Sequence, residues 1–171
     1  MKKFLKKYVI ELILSIILVA GLCLILYPTV SDWWNSLHQS RAIASYVEKV
    51  EGMSEEDCEE MLAAARAYNE KLAAGNRGFV LTERELEEYR SLLDVSGTGI
   101  MGYVQIPSIG VSLPVYHGTD EAVLQTAIGH IPGSSLPVGG ESTHCLVSGH
   151  RGLPSARLFT DLDQLEEGDI F

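Results

Sequence analysis

Ser142 to Ser155 reads STHCLVSGHRGLPS, and His150 stands where the apolar run Cys145, Leu146, Val147 gives way to a glycine-bracketed loop. A histidine delivered to a loop by the end of a strand is well placed to move protons near neutral pH. Ser148 shares its strand face but has no GxSxG elbow around it, so strand termination is its expected role. Arg151 could hold an oxyanion, although adjacent residues of an extended segment point apart. Asp161, Asp163, Glu166 and Glu167 read as a solvated turn region. A paired-carboxylate hydrolase would need one of them in an apolar pocket.

Each of the three cysteines can be weighed as a nucleophile for His150. Cys23 lies in an apolar stretch, and the carboxylates flanking Cys58 in SEEDCEE disfavour a thiolate there. Cys145 is closest in sequence. On an extended strand its five-residue offset is about 16 Å and turns it to the opposite face, so it reads as a small buried core residue. An odd cysteine count argues against a disulfide framework. His117, His130, His144 and His150 match no compact zinc spacing, and HExxH and CxxC are both missing, so neither metal nor cofactor is expected.

The elements that must position His150 begin with an anchor. Tyr8 to Leu26 is almost wholly apolar and follows Lys2, Lys3, Lys6 and Lys7. About 20 apolar residues span a bilayer, against about 7 to 15 in the apolar part of a signal peptide, which favours a retained single-pass anchor. The positive-inside rule keeps the lysines cytoplasmic and places the chain after Tyr27 outside. The sequence has 13 Lys+Arg and 23 Asp+Glu; four and one of these precede residue 27, leaving 9 against 22 and a net charge of −13. Such a segment is no nucleic-acid binder, and anionic lipid should repel it.

Tyr27-Pro28 reads as a break, followed by a helix from near Ser31. A capping box at Ser54–Asp57 opens a second helix that runs to about Ala74, with Cys58, Met61, Leu62, Ala65, Tyr68 and Leu72 at helical spacing. Gly75 to Phe79 is a loop, Thr82–Glu85 caps a short third helix, and DVSGTG at 94–99 is a turn. Beyond it the chain turns to glycine, proline and β-branched residues. Tyr103 to Ile106, Val111 to Val115 and Thr143 to Ser148 read as strands, Thr119 to Thr126 as a short helix and 129–140 as a loop. The expected organisation is lysines and anchor at 1–26, an extracellular helical region at 27–74, a lid-like loop with short helix and turn at 75–99, and a strand-rich part at 100–171.

MGYVQIPSIGVSLPVYHGT, then VLQTAIGHIPGSSLPVGGESTHCLVSGHRGLPSARLFTDLDQLEEGD, together with YPTVSDWWN after the anchor, strongly resembles the class C, pilin-polymerising sortases of Gram-positive bacteria. The resemblance implies a mainly β chain: a sortase-like β-barrel, incomplete here, preceded by the membrane helix and two or three α-helices. It implies a cysteine transpeptidase that cleaves an LPxTG-like sorting signal and joins pilin subunits through a lysine isopeptide bond. Its expected partners are those pilins, with their acceptor lysine, and the membrane. His150 corresponds to the family's general acid/base. The family's cysteine, in a TLxTC strand, and its arginine have no counterpart in this sequence, so the chain reads as an inactive N-terminal fragment. The family's lid tripeptide, Asp-Pro-aromatic, is replaced by Gly75-Asn76-Arg77-Gly78-Phe79, which leaves Phe79 as the lid candidate. A housekeeping sortase acting on peptidoglycan and a non-catalytic assembly module are the alternatives, and the long helical region with SGHRGLPSA favours the pilin class over the first.

Overall fold

The computed structural model describes residues 2–75 and 79–170, with side chains from Tyr8 onward. The side chains of the four lysines and the loop residues Asn76, Arg77 and Gly78 therefore lie outside the described residues.

Helix α1 runs without interruption over Lys2–Glu51, with Pro28 inside it. The break expected at Tyr27-Pro28 does not occur. Proline removes one helical hydrogen bond and crowds the preceding turn, at about 3 kcal/mol. Here the helix is fixed on both sides of that defect: an apolar run precedes it, and downstream side chains bind the rest of the fold. Asn35 Nδ2 donates to the Ser155 carbonyl (2.8 Å), Gln39 Nε2 to Thr126 (2.6 Å) and the Tyr46 hydroxyl to Met101 (3.2 Å).

Helices α2 (Glu55–Ala74) and α3 (Glu83–Ser91) start where their caps predict. Ser54 Oγ accepts from the Asp57 N–H at 3.1 Å. At Thr82 the box is reciprocal, with Oγ1 accepting from Glu85 N–H and Glu85 Oε2 accepting from Thr82 N–H. These contacts satisfy amide groups that the first helical turn leaves unpaired. Lys71 bridges α2 to Glu88 of α3 at 2.7 Å.

Strand β1 (Ile100–Ile106) pairs antiparallel with β2 (Val111–His117) across a turn containing Pro107 and the left-handed Gly110. A short helix, α4 (Glu121–Leu124), leads to β3 (Ile128–His130), parallel to β2, and β4 (Val147–Ser148) closes the order antiparallel to β3. The sheet is open, in the order β1-β2-β3-β4.

This overturns the expectation of a mainly β barrel. The chain is mainly helical, because α1 and α2 alone outnumber all strand residues several-fold. The sheet does not close, because β1 and β4 lie at its opposite edges and β3 and β4 are too short to curl it. The core lies between α2, α3 and the sheet, where Ala65, Tyr68, Tyr89, Met101, Leu113, Val115, Ile128 and Leu136 pack together. Burying each large apolar side chain contributes about 1.5–3 kcal/mol. α1 covers the β2 and β1 side.

Candidate active site

Register places the candidate histidine. Val147 of β4 pairs with His130 and Ser148 with Gly129, so the strand ends at Ser148, as its sequence context suggested. Gly149 follows in a position only glycine can occupy: a Cβ there would lie 2.6 Å from Ile128 Cγ2 and 2.8 Å from Phe159 Cδ2. The backbone is thus pressed onto the core one residue before His150, and the imidazole emerges exposed.

The segment 150–164 folds back on itself around that point. The Phe159 N–H donates to the His150 carbonyl (3.2 Å), and the Gly152 N–H, at φ +75°, donates to Thr160 Oγ1 (3.1 Å). Arg151 pairs with Asp163 at 2.6 Å, and Arg157 with Asp161. The Arg151–Asp163 pair is solvent-facing and contributes little by itself, whereas Asp161 of the second pair is only 17% exposed. The first pair does commit Arg151 to a carboxylate. Leu158 takes the left-handed φ of +39° yet is buried, so its side chain anchors the loop at the cost of local backbone strain. The loop is also tied to α1, because Asp32 Oδ1 accepts from the Arg157 N–H (2.7 Å) and the Ser155 carbonyl from Asn35.

The other histidines occupy different environments. His130 is fully buried: Nε2 faces the Ser135 carbonyl (2.9 Å) and Nδ1 the Tyr89 hydroxyl (2.9 Å). A carbonyl can only accept, which assigns the Nε2–H tautomer and leaves Nδ1 to accept. Desolvation lowers the His130 pKa, with partial opposition from the Ser135 contact. Tyr89 also accepts from the Gly118 N–H (3.0 Å) and stacks on His130, and burial raises its pKa. His117 meets two carbonyls, Gly99 and Leu92, at 2.9 and 2.7 Å. Both are packing histidines, as their positions outside the 142–155 segment suggested. His144 is exposed, with its backbone tied to Ser135.

Cys145 departs from expectation: it is exposed, not buried. Its neighbours explain this. Leu146 and His144 spend their carbonyls on Ile131 and Ser135 N–H groups, so this segment lies along the 131–135 loop and only Val147 and Ser148 enter the ladder. Partial desolvation nonetheless raises the Cys145 thiol pKa, which disfavours a thiolate. Phe79 is 60% exposed in the connection between α2 and α3.

Sequence reasoning missed the Tyr89–His130–Ser134/Ser135 network and Asn69. The Asn69 side chain, 3% exposed, makes a two-way bond with Leu136, donating to its carbonyl (3.1 Å) and accepting from its N–H (2.7 Å). A buried polar residue on the apolar stripe of α2 was the available signal. A polar cleft of about 270 Å³ lies between α1, the start of β2 and Arg157–Asp161, and an aromatic one of about 280 Å³ is lined by Trp34, His38 and Tyr116. His150 lines neither.

Comparison with known proteins finds clear matches. A sortase domain family model matches residues 104–171. Among solved structures, the chain is similar to sortase C1 from Streptococcus agalactiae, at 50% identity and TM-score 0.72 over 75% of this chain and 67% of that one. It is similar to sortase C of Streptococcus pneumoniae at 39% identity and TM-score 0.65, covering 76% and 65% respectively. It is also similar to sortase C-1 from Actinomyces oris at 38% identity and TM-score 0.59, covering 67% and 65%. The chain spans about two thirds of the length of these proteins. No curated protein matches it.

Proposed function

Because the chain belongs to the class C sortases, we propose that it serves a membrane-anchored cysteine transpeptidase that cleaves LPxTG-like sorting signals and joins pilin subunits through lysine isopeptide bonds. The observation that carries this reading is the 50% identity to a solved sortase C1, together with a sortase domain match over residues 104–171, the range that includes His150.

In this mechanism a thiolate adds to the threonine carbonyl of the Thr–Gly bond. As the tetrahedral adduct collapses, the C–N bond breaks and the departing glycine amine takes a proton, leaving a thioester. A lysine amine then adds to the thioester, gives up a proton and releases the thiolate. Both steps need a group that exchanges protons near neutral pH, and we assign that role to His150. Its exposure and the pinned backbone before it suit the task, because the imidazole can meet a peptide without a costly rearrangement. Phe79 is our candidate for the lid, as an aromatic side chain exposed beside α3.

The test is kinetic. In an enzyme that carries the family's TLxTC strand with this sequence, His150→Ala should lower the rate of isopeptide formation by about 10²- to 10⁴-fold, while circular dichroism stays unchanged. His144→Ala should leave the rate within about threefold, being a small effect on the scale of a lost proton-transfer group. Near-normal turnover in His150→Ala would remove the assignment.

A further inference from the structure

Helix α1 joins the apolar span to the rest of the fold as one rod, and its hydrogen bonds map the fold against distance from the bilayer. The apolar run Tyr8–Leu26 is about 28 Å long at 1.5 Å per residue, close to the roughly 30 Å hydrocarbon core. Asp32, six residues on, binds the Arg157 N–H. Asn35 binds Ser155, Gln39 binds Thr126, Tyr46 binds Met101, and Lys49 Nζ reaches the Ser96 carbonyl. By helical rise these contacts run from about 9 Å beyond the apolar span at Asp32 to about 35 Å at Lys49. The 150–164 loop is therefore at the membrane-proximal end, and the 94–99 turn at the distal one.

The exposed face of α1 continues the same story. Tyr27, Val30, Trp33 and Trp34 are all more than half exposed just past the span. Tyrosine and tryptophan concentrate at the headgroup layer, where a ring can bury apolar area and keep its polar atom wet. The net charge of −13 would keep a freely tethered domain away from anionic lipid. A helix bonded to the fold at five levels is not a free tether, and the two arginines of the loop are paired with Asp161 and Asp163.

We propose that α1 holds the loop bearing His150 against the outer lipid headgroup layer, with Tyr27, Trp33 and Trp34 as the interfacial belt, so that the bilayer surface forms one wall of the approach to His150. The placement stands on the rod and its contacts; only its bearing on His150 rests on the transpeptidase reading.

Trp33 and Trp34 are the only tryptophans, so the whole chain in phosphatidylcholine vesicles carries its own probe. Lipids brominated near the headgroup end of the acyl chain should quench that emission at least twofold more than lipids brominated near the chain terminus. For the loop, a bimane label is placed at Pro154→Cys or, as the distal control, at Thr98→Cys, each with Cys23, Cys58 and Cys145 changed to serine. A headgroup nitroxide should quench the Pro154→Cys label at least fivefold more than the Thr98→Cys label. Equal quenching at both, or none at Pro154→Cys, overturns the proposal. A seven-residue alanine-rich insertion after Thr29 keeps the helical face and lifts the fold by about 10 Å. It should abolish the Pro154→Cys signal while the helical circular dichroism persists, and unchanged quenching would equally overturn it. These readings do not depend on catalysis, so loss of the sortase mechanism and loss of the membrane placement are separable outcomes.

Discussion

His150 and His130 show how different the surroundings of one residue type can be within a single chain. His150 follows a glycine pressed onto Ile128 and Phe159 and faces solvent, whereas His130, 20 residues earlier, has its ring bonded on both sides and no exposure. Burial holds the His130 pKa below its ordinary value, which makes the folded state favour the neutral ring. The unfolded chain takes up this proton below about pH 6.5, while the folded chain resists it until a lower pH. Stability from this residue is therefore complete above about 6.5 and falls as pH drops beneath it, by up to about 1.4 kcal/mol per unit until the folded pKa is reached. Urea midpoints at pH 7.5 and 5.5 should separate further for the natural chain than for His130→Gln. Identical pH dependence in the two would show that the buried ring is not the linked group. The distinction between these two histidines was half legible in sequence: the loop context marked His150, but nothing local marked the partners of His130, which come from α3 and the 131–135 loop.

At the scale of elements, capping was the most readable feature. Ser54 and Thr82 both cap where a hydroxyl three residues before a carboxylate says they should, since that chemistry is local. β3 was not readable, because Ile128, Gly129 and His130 are all buried and show no alternation. Their pairing is set by Gly129, where a Cβ would collide with the Gly118 carbonyl at 2.0 Å, a close approach invisible without the fold. Pro28 misled for a related reason: its local preference is to end a helix, and contacts as distant as Arg157 and Met101 decide otherwise. Asn69 is the sharpest long-range element contact, fastening α2 to the 131–146 segment through both atoms of its amide. Asn69→Leu would leave the Leu136 N–H buried without a partner, at about 1–3 kcal/mol, while the Leu136 carbonyl keeps the Val138 N–H at 2.8 Å. The expected result is a fall of about 1–3 kcal/mol in unfolding free energy on that scale, with faster hydrogen exchange at Leu136 and its neighbours. A leucine variant as stable as the natural chain would mean that water replaces the lost amide.

For the whole molecule, charge and hydropathy specify an orientation as well as a fold. Four lysines precede the apolar span of α1, and residues beyond it carry a net charge of −13, so the preference for cytoplasmic lysines fixes which end stays inside. The exposed Cys145 offers a natural reporter, since Cys23 lies within the span and Cys58 is only partly exposed. A membrane-impermeant maleimide added to intact cells at about pH 8 should label the chain, and Cys145→Ser should remove most of that label. The mildly alkaline pH matters, because the Cys145 thiol titrates above its ordinary value and the thiolate is the reactive form. Replacing Lys2, Lys3, Lys6 and Lys7 by glutamine removes the cytoplasmic retention signal and leaves the sequence from Tyr8 onward unchanged. That variant should partition between two orientations, with impermeant labelling reduced in intact cells and restored after permeabilisation. If labelling from outside stayed complete in the glutamine variant, orientation would be set by the acidic outer segment or by the fold itself, and the lysines would have no directing role.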